Sequence, residues 1–168
     1  MPNSIELAAG SSRWRYQWLL PLLLLLPLVA SASDTTYLPI CVTQGDRLYP
    51  LSVELAQTPE QLQRGLMDRF WLSNSAGMLF LYRRLQPPSS GFWMYRTHIP
   101  LTAAFINAEG VIVTLQPMSP CDAIDPANCP IYRADHPYRM VLEVNRGWFQ
   151  SRGIGLGARV GRCPSISR

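Results

Sequence analysis

The stretch Gly91 to Leu115, GFWMYRTHIPLTAAFINAEGVIVTL, constrains the fold more than any other part of the chain. Leu101 to Ile106 and Val111 to Leu115 are short runs rich in β-branched and aromatic residues, which is the composition and length of strands. Asn107-Ala108-Glu109-Gly110 joins them, with glycine where a tight connection needs a positive φ, so the pair reads as a β-hairpin. Just upstream, Phe92 to Arg96 predicts another strand. Ile99-Pro100 then predicts a bend, because the residue before proline is steered away from helical dihedrals and proline offers no ladder donor.

The beginning of the chain has a different character. Arg13-Trp14-Arg15 is a positive flank, and Trp18 to Val29 is an apolar run too short to span a hydrocarbon core of roughly 30 Å comfortably. Ala30-Ser31-Ala32 offers small residues at the spacing a signal peptidase accepts. The prediction is a signal peptide over residues 1–32, a single mature domain over 33–168, and a periplasmic or secreted protein; an uncleaved membrane anchor is the alternative. No later run approaches transmembrane length, so no stable membrane span is expected after processing. The formal charge is +4, from 15 basic residues, all Arg, against 11 acidic ones. In the mature part the Arg are scattered, with no basic stripe and no interleaved aromatics, so nucleic acid is not an expected partner.

Cys41, Cys121, Cys129 and Cys163 all lie beyond the export signal, and an even number in an exported domain favours disulfides. Of the three connectivities, Cys121 with Cys129 is preferred, because Asp122, Asp125, Pro126 and Asn128 between them turn readily. Cys41 with Cys163 then fastens the two ends of the domain. A four-Cys zinc site is the alternative, although the long separations lack the paired short spacings usual for that metal.

In chain order, Ile40 to Val42 reads as an edge strand, and Leu48 to Ala56 as a strand whose Leu51, Val53 and Leu55 face the core. Thr58-Pro59-Glu60-Gln61 is a capping box with proline at the first helical position, opening a short helix that Gly65 ends. The turn Arg64-Gly65-Leu66-Met67 has two readings: it presents Arg64 and Arg69 to an anion, or it merely stops the helix while Leu66 and Met67 pack. Met78 to Tyr82 and Tyr138 to Val144 read as strands, Asn145 as the cap of a second short helix through Arg152, and Ala158 to Cys163 as a terminal strand. The fold class predicted is mainly β (α+β): a compact, partly closed antiparallel β-barrel or sandwich with two short helices.

The pieces ELAQTPEQLQRGLM, GMLFLY, GFWMYRTHIPLTAAFINAEGVIV and VLEVNRGWFQSRGIGLGARV resemble, in that order, the domain of unknown function 192 family. The resemblance runs from Leu51 to Val160. It implies a compact β-rich domain with short helices, often exported in bacteria, of no established biochemical activity. Two departures bear on chemistry: Tyr95-Arg96 stands where the family commonly has Lys-Asn, and Thr102 where it has Asp. A hydroxyl cannot replace a carboxylate base near neutral pH, so the resemblance supports catalysis less in this chain than in its relatives.

The leading functional expectation is an exported binding or accessory module with a shallow pocket around Trp93, Arg96, Thr97, Glu143, Asn145 and Trp148. Aromatic rings there supply contact area, and Arg and Asn orient a small molecule, sugar or peptide, or a group on an envelope protein. A structural or protein-interaction domain competes, with the same Trp residues in its core. A hydrolase-like reading joins His98 or His136 to Glu143, without a Ser motif or a metal-binding His pair to support it. No catalytic residues and no cofactor are assigned. Met67, Met78, Met94, Met118 and Met140 sit singly in apolar elements, where packing accounts for them without copper. Asp122, Asp125 and Asp135 lack the spacing of a calcium loop.

Overall fold

The computed structural model describes residues 37–164, so the expected signal peptide lies outside the described residues. Strands β1 (Tyr37–Gln44), β2 (Arg47–Ala56), β3 (Ala76–Gln86), β5 (Leu101–Ile106), β6 (Ile112–Met118), β8 (Tyr138–Asn145) and β9 (Arg159–Gly161) form one seven-stranded sheet. Its order is β6-β5-β8-β3-β2-β1-β9. β4 (Gly91–Phe92) and β7 (Tyr132–Arg133) make a separate two-stranded ribbon. Helix α1 (Pro59–Arg64) lies in the connection from β2 to β3, and these two strands run parallel, as a crossover through a helix allows. The sequence-based expectation of a partly closed antiparallel barrel or sandwich with two short helices is therefore corrected. The sheet is mixed, its ladder order has two ends, and the described residues add one α-helix and two 3₁₀ turns. An isolated bridge from Val111, just before β6, to Arg159 and backbone bonds such as Ile112 N–H to the Ala158 carbonyl at 2.8 Å bring the two end strands near one another without adding a ladder. The parallel pair escaped the sequence because partner choice is a tertiary property, unmarked in either strand's own residues.

The hairpin forms as its residues dictate. β5 and β6 pair antiparallel, Gly110 takes φ +79°, and the Asn107 side-chain oxygen accepts from the Glu109 and Val111 amides at 3.1 and 2.8 Å. α1 begins with the expected capping box: Thr58 Oγ1 accepts from the Gln61 amide at 3.3 Å, and Gln61 Oε1 accepts from the Thr58 amide at 3.1 Å. In the centre of the sheet both faces are covered. Leu79, Ala104, Ile106, Leu142 and Val144 pack on one side with Trp148, Phe149 and Ile154. Phe80, Ala103, Phe105, Val141 and Tyr138 pack on the other with Leu66, Phe92, Met94 and Ile99. β8 thus has buried residues pointing both ways, and Glu143 is among them.

Two local expectations are overturned. Only Gly91 and Phe92 of the anticipated strand are extended in a ladder; Trp93 to Arg96 turns, with the Thr97 amide bonded to the Met94 carbonyl at 3.0 Å and Arg96 at φ +54°. The second helix is reduced to a 3₁₀ turn over Gln150–Arg152, and Asn145 does not cap it. Both disulfides form as predicted, Cys121 with Cys129 and Cys41 with Cys163. The second bond joins β1 to the segment after β9, two strands already paired through Cys41 and Gly161.

Candidate functional site

A narrow crevice opens between the end of α1, the Trp93–Thr97 bend and the middle of β8. Leu62, Arg64, Gly65, Met67, Trp93, Thr97 and Glu143 line it, and its volume is about 30 Å³. That is room for a water molecule or one small substituent, since a single water needs roughly 10–15 Å³ of such space. Gly65 permits the close wall. It takes φ +49° at the end of α1, and a side chain there would place its first carbon 3.1 Å from the Phe80 ring.

Glu143 lies at the crevice, only 4% exposed. Among the described residues no side chain hydrogen-bonds its carboxyl and no cation pairs with it. Burial disfavours the charged form, and its pKa is pushed up to about 8. At neutral pH the group is therefore chiefly a neutral acid, able to donate one hydrogen bond and accept another. The Tyr82 hydroxyl is also raised, first by its own burial and then by Tyr138 and Glu143. Thr97, buried beside Glu143 in the crevice wall, directs its hydroxyl to the Tyr95 carbonyl at 3.5 Å. Trp93 is half-buried and forms the aromatic wall.

Of the six residues selected from sequence, the crevice gathers Trp93, Thr97 and Glu143. The other three lie elsewhere. Arg96 reaches Asp68, with an Nη2 to Oδ1 distance of 2.8 Å, while the Asp68 amide donates to the Arg96 carbonyl at 2.7 Å. Among the described residues the two non-glycine positions with positive φ, Asp68 at 61° and Arg96 at 54°, thus hold one another. Asn145 Nδ2 donates to the Leu72 carbonyl at 2.8 Å and to Asn74 Oδ1 at 3.0 Å. Trp148 is 4% exposed, and its indole N–H donates to the Asn74 carbonyl at 2.8 Å. Together Asn145 and Trp148 pin the loop that leads into β3.

Sequence reasoning did not place Arg64, Gly65 and Met67 on the same wall as Glu143, although the Arg64-Gly65-Leu66-Met67 turn was visible as a possible anion-facing feature. Thr102 is buried in β5 and lines a different cavity, of about 330 Å³, with Arg146 and Phe149. His98 pairs with Asp122, Nδ1 to Oδ1 2.9 Å, and stacks on Phe70. Neither His98 nor His136 is among the residues of the Glu143 crevice. Among the described residues no three His, Cys, Asp or Glu side chains gather closely enough to share a metal ion.

The fold and crevice define a small disulfide-clasped domain, built on a mixed β-sheet, that holds a buried carboxyl at a narrow opening. Two crystal structures share this fold. One is of a candidate transcription regulator from Sinorhizobium meliloti 1021, 29% identical, with a TM-score of 0.69, covering 77% of this chain and 96% of that one. The other is of a protein of unknown function from Novosphingobium aromaticivorans DSM 12444, also 29% identical with a TM-score of 0.69, covering 81% of this chain and 92% of that one. No curated protein matches. The chain belongs to the DUF192 family, described as "Uncharacterized ACR", which matches residues 40–161.

Proposed function

We propose that the protein is an exported ligand-binding module, and that the group it recognises is a small hydrogen-bond acceptor, such as the carbonyl of an acetamido sugar or of a peptide, inserted beside Glu143. The single observation that carries this reading is a largely buried carboxyl that no side chain bonds among the described residues and that opens onto a crevice walled by Trp93. Since no fully buried side-chain oxygen or nitrogen lacks a partner among the described residues, the Glu143 oxygens keep access to the crevice, where a ligand group can bond them. The crevice admits only a substituent, so the body of the ligand rests outside, against the indole of Trp93 and within reach of Arg64.

N-acetylglucosamine and N-acetyl amino-acid amides are suitable probes, with Trp93 as the fluorescent reporter. The reading expects a saturable change with at least one probe class, and calorimetric titration, which needs no reporter, is expected to show the binding lost in Trp93→Ala without a shift in thermal transition. Its affinity falls as pH rises past 8 and Glu143 loses its proton. Absence of saturable binding by both classes contradicts it. Export rests on the sequence pattern ending at Ala30-Ser31-Ala32 and accords with two disulfides in the mature domain. Intact-mass measurement of the native protein is expected to show loss of residues 1–32; their retention contradicts cleavage.

A further inference from the structure

On the other side of α1 lies a wider cleft of about 760 Å³, and it shares only Leu62 with the Glu143 crevice. Its origin is topological. β3 pairs with β2 from Ser52–Ala76 to Ala56–Phe80, after which the β2 chain turns away through Gln57 into α1 while β3 continues to Gln86. The lane that a longer β2 would occupy is left open beside β3. Its floor is extended backbone without a ladder: Tyr82 to Leu85 have no register partner in β2, and the pairing with β8 jumps from Leu81–Met140 to Gln86–Tyr138.

The walls are charged with one sign. Arg83, Arg84 and Arg139 line the cleft alongside Thr58, Leu62 and Tyr82, and among the described residues no acidic one lines it. Among the described residues none of the three Arg has a carboxylate within ion-pair distance. Arg139 is anchored, its Nε donating to the Tyr82 carbonyl at 2.7 Å, whereas Arg83 and Arg84 are exposed. Glu60, the nearest acidic residue along α1, is not on the cleft wall.

We infer that this cleft is a docking groove for an extended acidic peptide of a partner protein, which adds as a short strand beside Tyr82–Leu85 and sets its carboxylates against Arg83, Arg84 and Arg139. The Tyr82 and Arg84 carbonyls already accept from the Arg139 and Gln86 side chains, so strand addition uses the remaining backbone groups of this segment for affinity and alternate side chains for selectivity. The guanidinium groups supply the geometry for bidentate contact with carboxylates. A simple anion needs only the arginines and leaves the vacant strand lane without a use. A second copy of this chain is a poor occupant, because the chain itself is basic, with a formal net charge of +4. The inference is independent of the ligand proposed for Glu143, which lies in the other opening.

The test uses the mature protein and a fluorescein-labelled capped hexapeptide of alternating Glu and Val, read by fluorescence polarisation. Three controls accompany it: the same peptide with Gln for Glu, one with Pro at the central Val, and inorganic pyrophosphate as competitor. Saturable binding is expected for the Glu peptide, weakened about tenfold or more in the Arg83→Ala/Arg84→Ala double variant, whose side chains are exposed and whose thermal transition stays unchanged. Arg84→Glu is expected to weaken it further, and the Gln and Pro peptides to bind at least about tenfold less well. Equal binding by the Pro peptide together with displacement by pyrophosphate reduces the groove to an anion site and overturns the inference. Equal binding by the Gln peptide, no saturable binding, or dimerisation of the protein that Arg84→Glu abolishes overturns it as well.

Discussion

Glu143 is the residue whose environment departs furthest from its type. Its carboxyl ordinarily titrates near 4.5, and in the folded protein burial raises this to about 8. Between those values the folded state keeps a proton that the unfolded chain has released, so raising the pH draws the equilibrium toward unfolding. Stability from this group is complete below about 4.5, is lost progressively up to about 8, and levels off above. Glu143→Gln keeps the shape and the donor but cannot ionise. The variant is therefore expected to match wild type near pH 5 and to exceed it near pH 8 by on the order of a few kcal/mol, measured by urea unfolding at both values. Parallel pH dependence of the two proteins contradicts the assignment. The residue scale also shows where sequence reading stops. Glu143 is among the residues the sequence assigns to a pocket, but its burial depends on packing from β3, α1 and the Trp93 bend, none of which adjoins it in sequence. Arg96 and Asn145 were selected as ligand contacts; the structure engages them with Asp68 and with the Leu72–Asn74 loop, partners that no local pattern announces.

At the scale of elements, what was legible was local. The β5–β6 hairpin, the Thr58 capping box and the Cys121–Cys129 clasp each depend on residues within a few positions of one another, and each is found. Trp93 to Arg96 failed as a strand because its backbone is set from outside: the Arg96 amide donates to the Cys121 carbonyl at 2.9 Å, while its own carbonyl accepts from Asp68. The end of α1 is where local and tertiary demands coincide. Gly65 stops the helix, as its sequence position suggests, and also passes close to Phe80 at the crevice wall. Gly65→Ala adds a side chain at φ +49° and at 3.1 Å from that ring, so a destabilisation of roughly 1–3 kcal/mol is expected from urea unfolding. A loss under about 0.5 kcal/mol would mean that this turn relaxes freely. The same reasoning explains why Gly77 tolerates no side chain in the centre of the sheet: its added carbon would stand 2.6 Å from the Glu143 carbonyl oxygen.

For the molecule as described, two disulfides and a sheet covered on both central faces frame, besides the cavity at Thr102, two openings of different character that share Leu62 of α1. One is narrow and holds the buried carboxyl of Glu143; the other is wide and lined with arginines that have no carboxylate partner among the described residues. The crossover that carries α1 between parallel β2 and β3 separates them, so the feature least visible in the sequence is the one that creates both. The account depends most on Glu143 being a neutral donor that a ligand can reach. The direct measurement is a carbon-13 NMR titration of the Glu143 carboxyl in the mature protein, free and saturated with the acetamido probe that binds. The account predicts an apparent pKa of about 8 in the free protein, raised further by the probe, because an acceptor bound to the O–H stabilises the protonated form. A value in the ordinary carboxylate range, or one that saturating probe leaves unmoved, would contradict it.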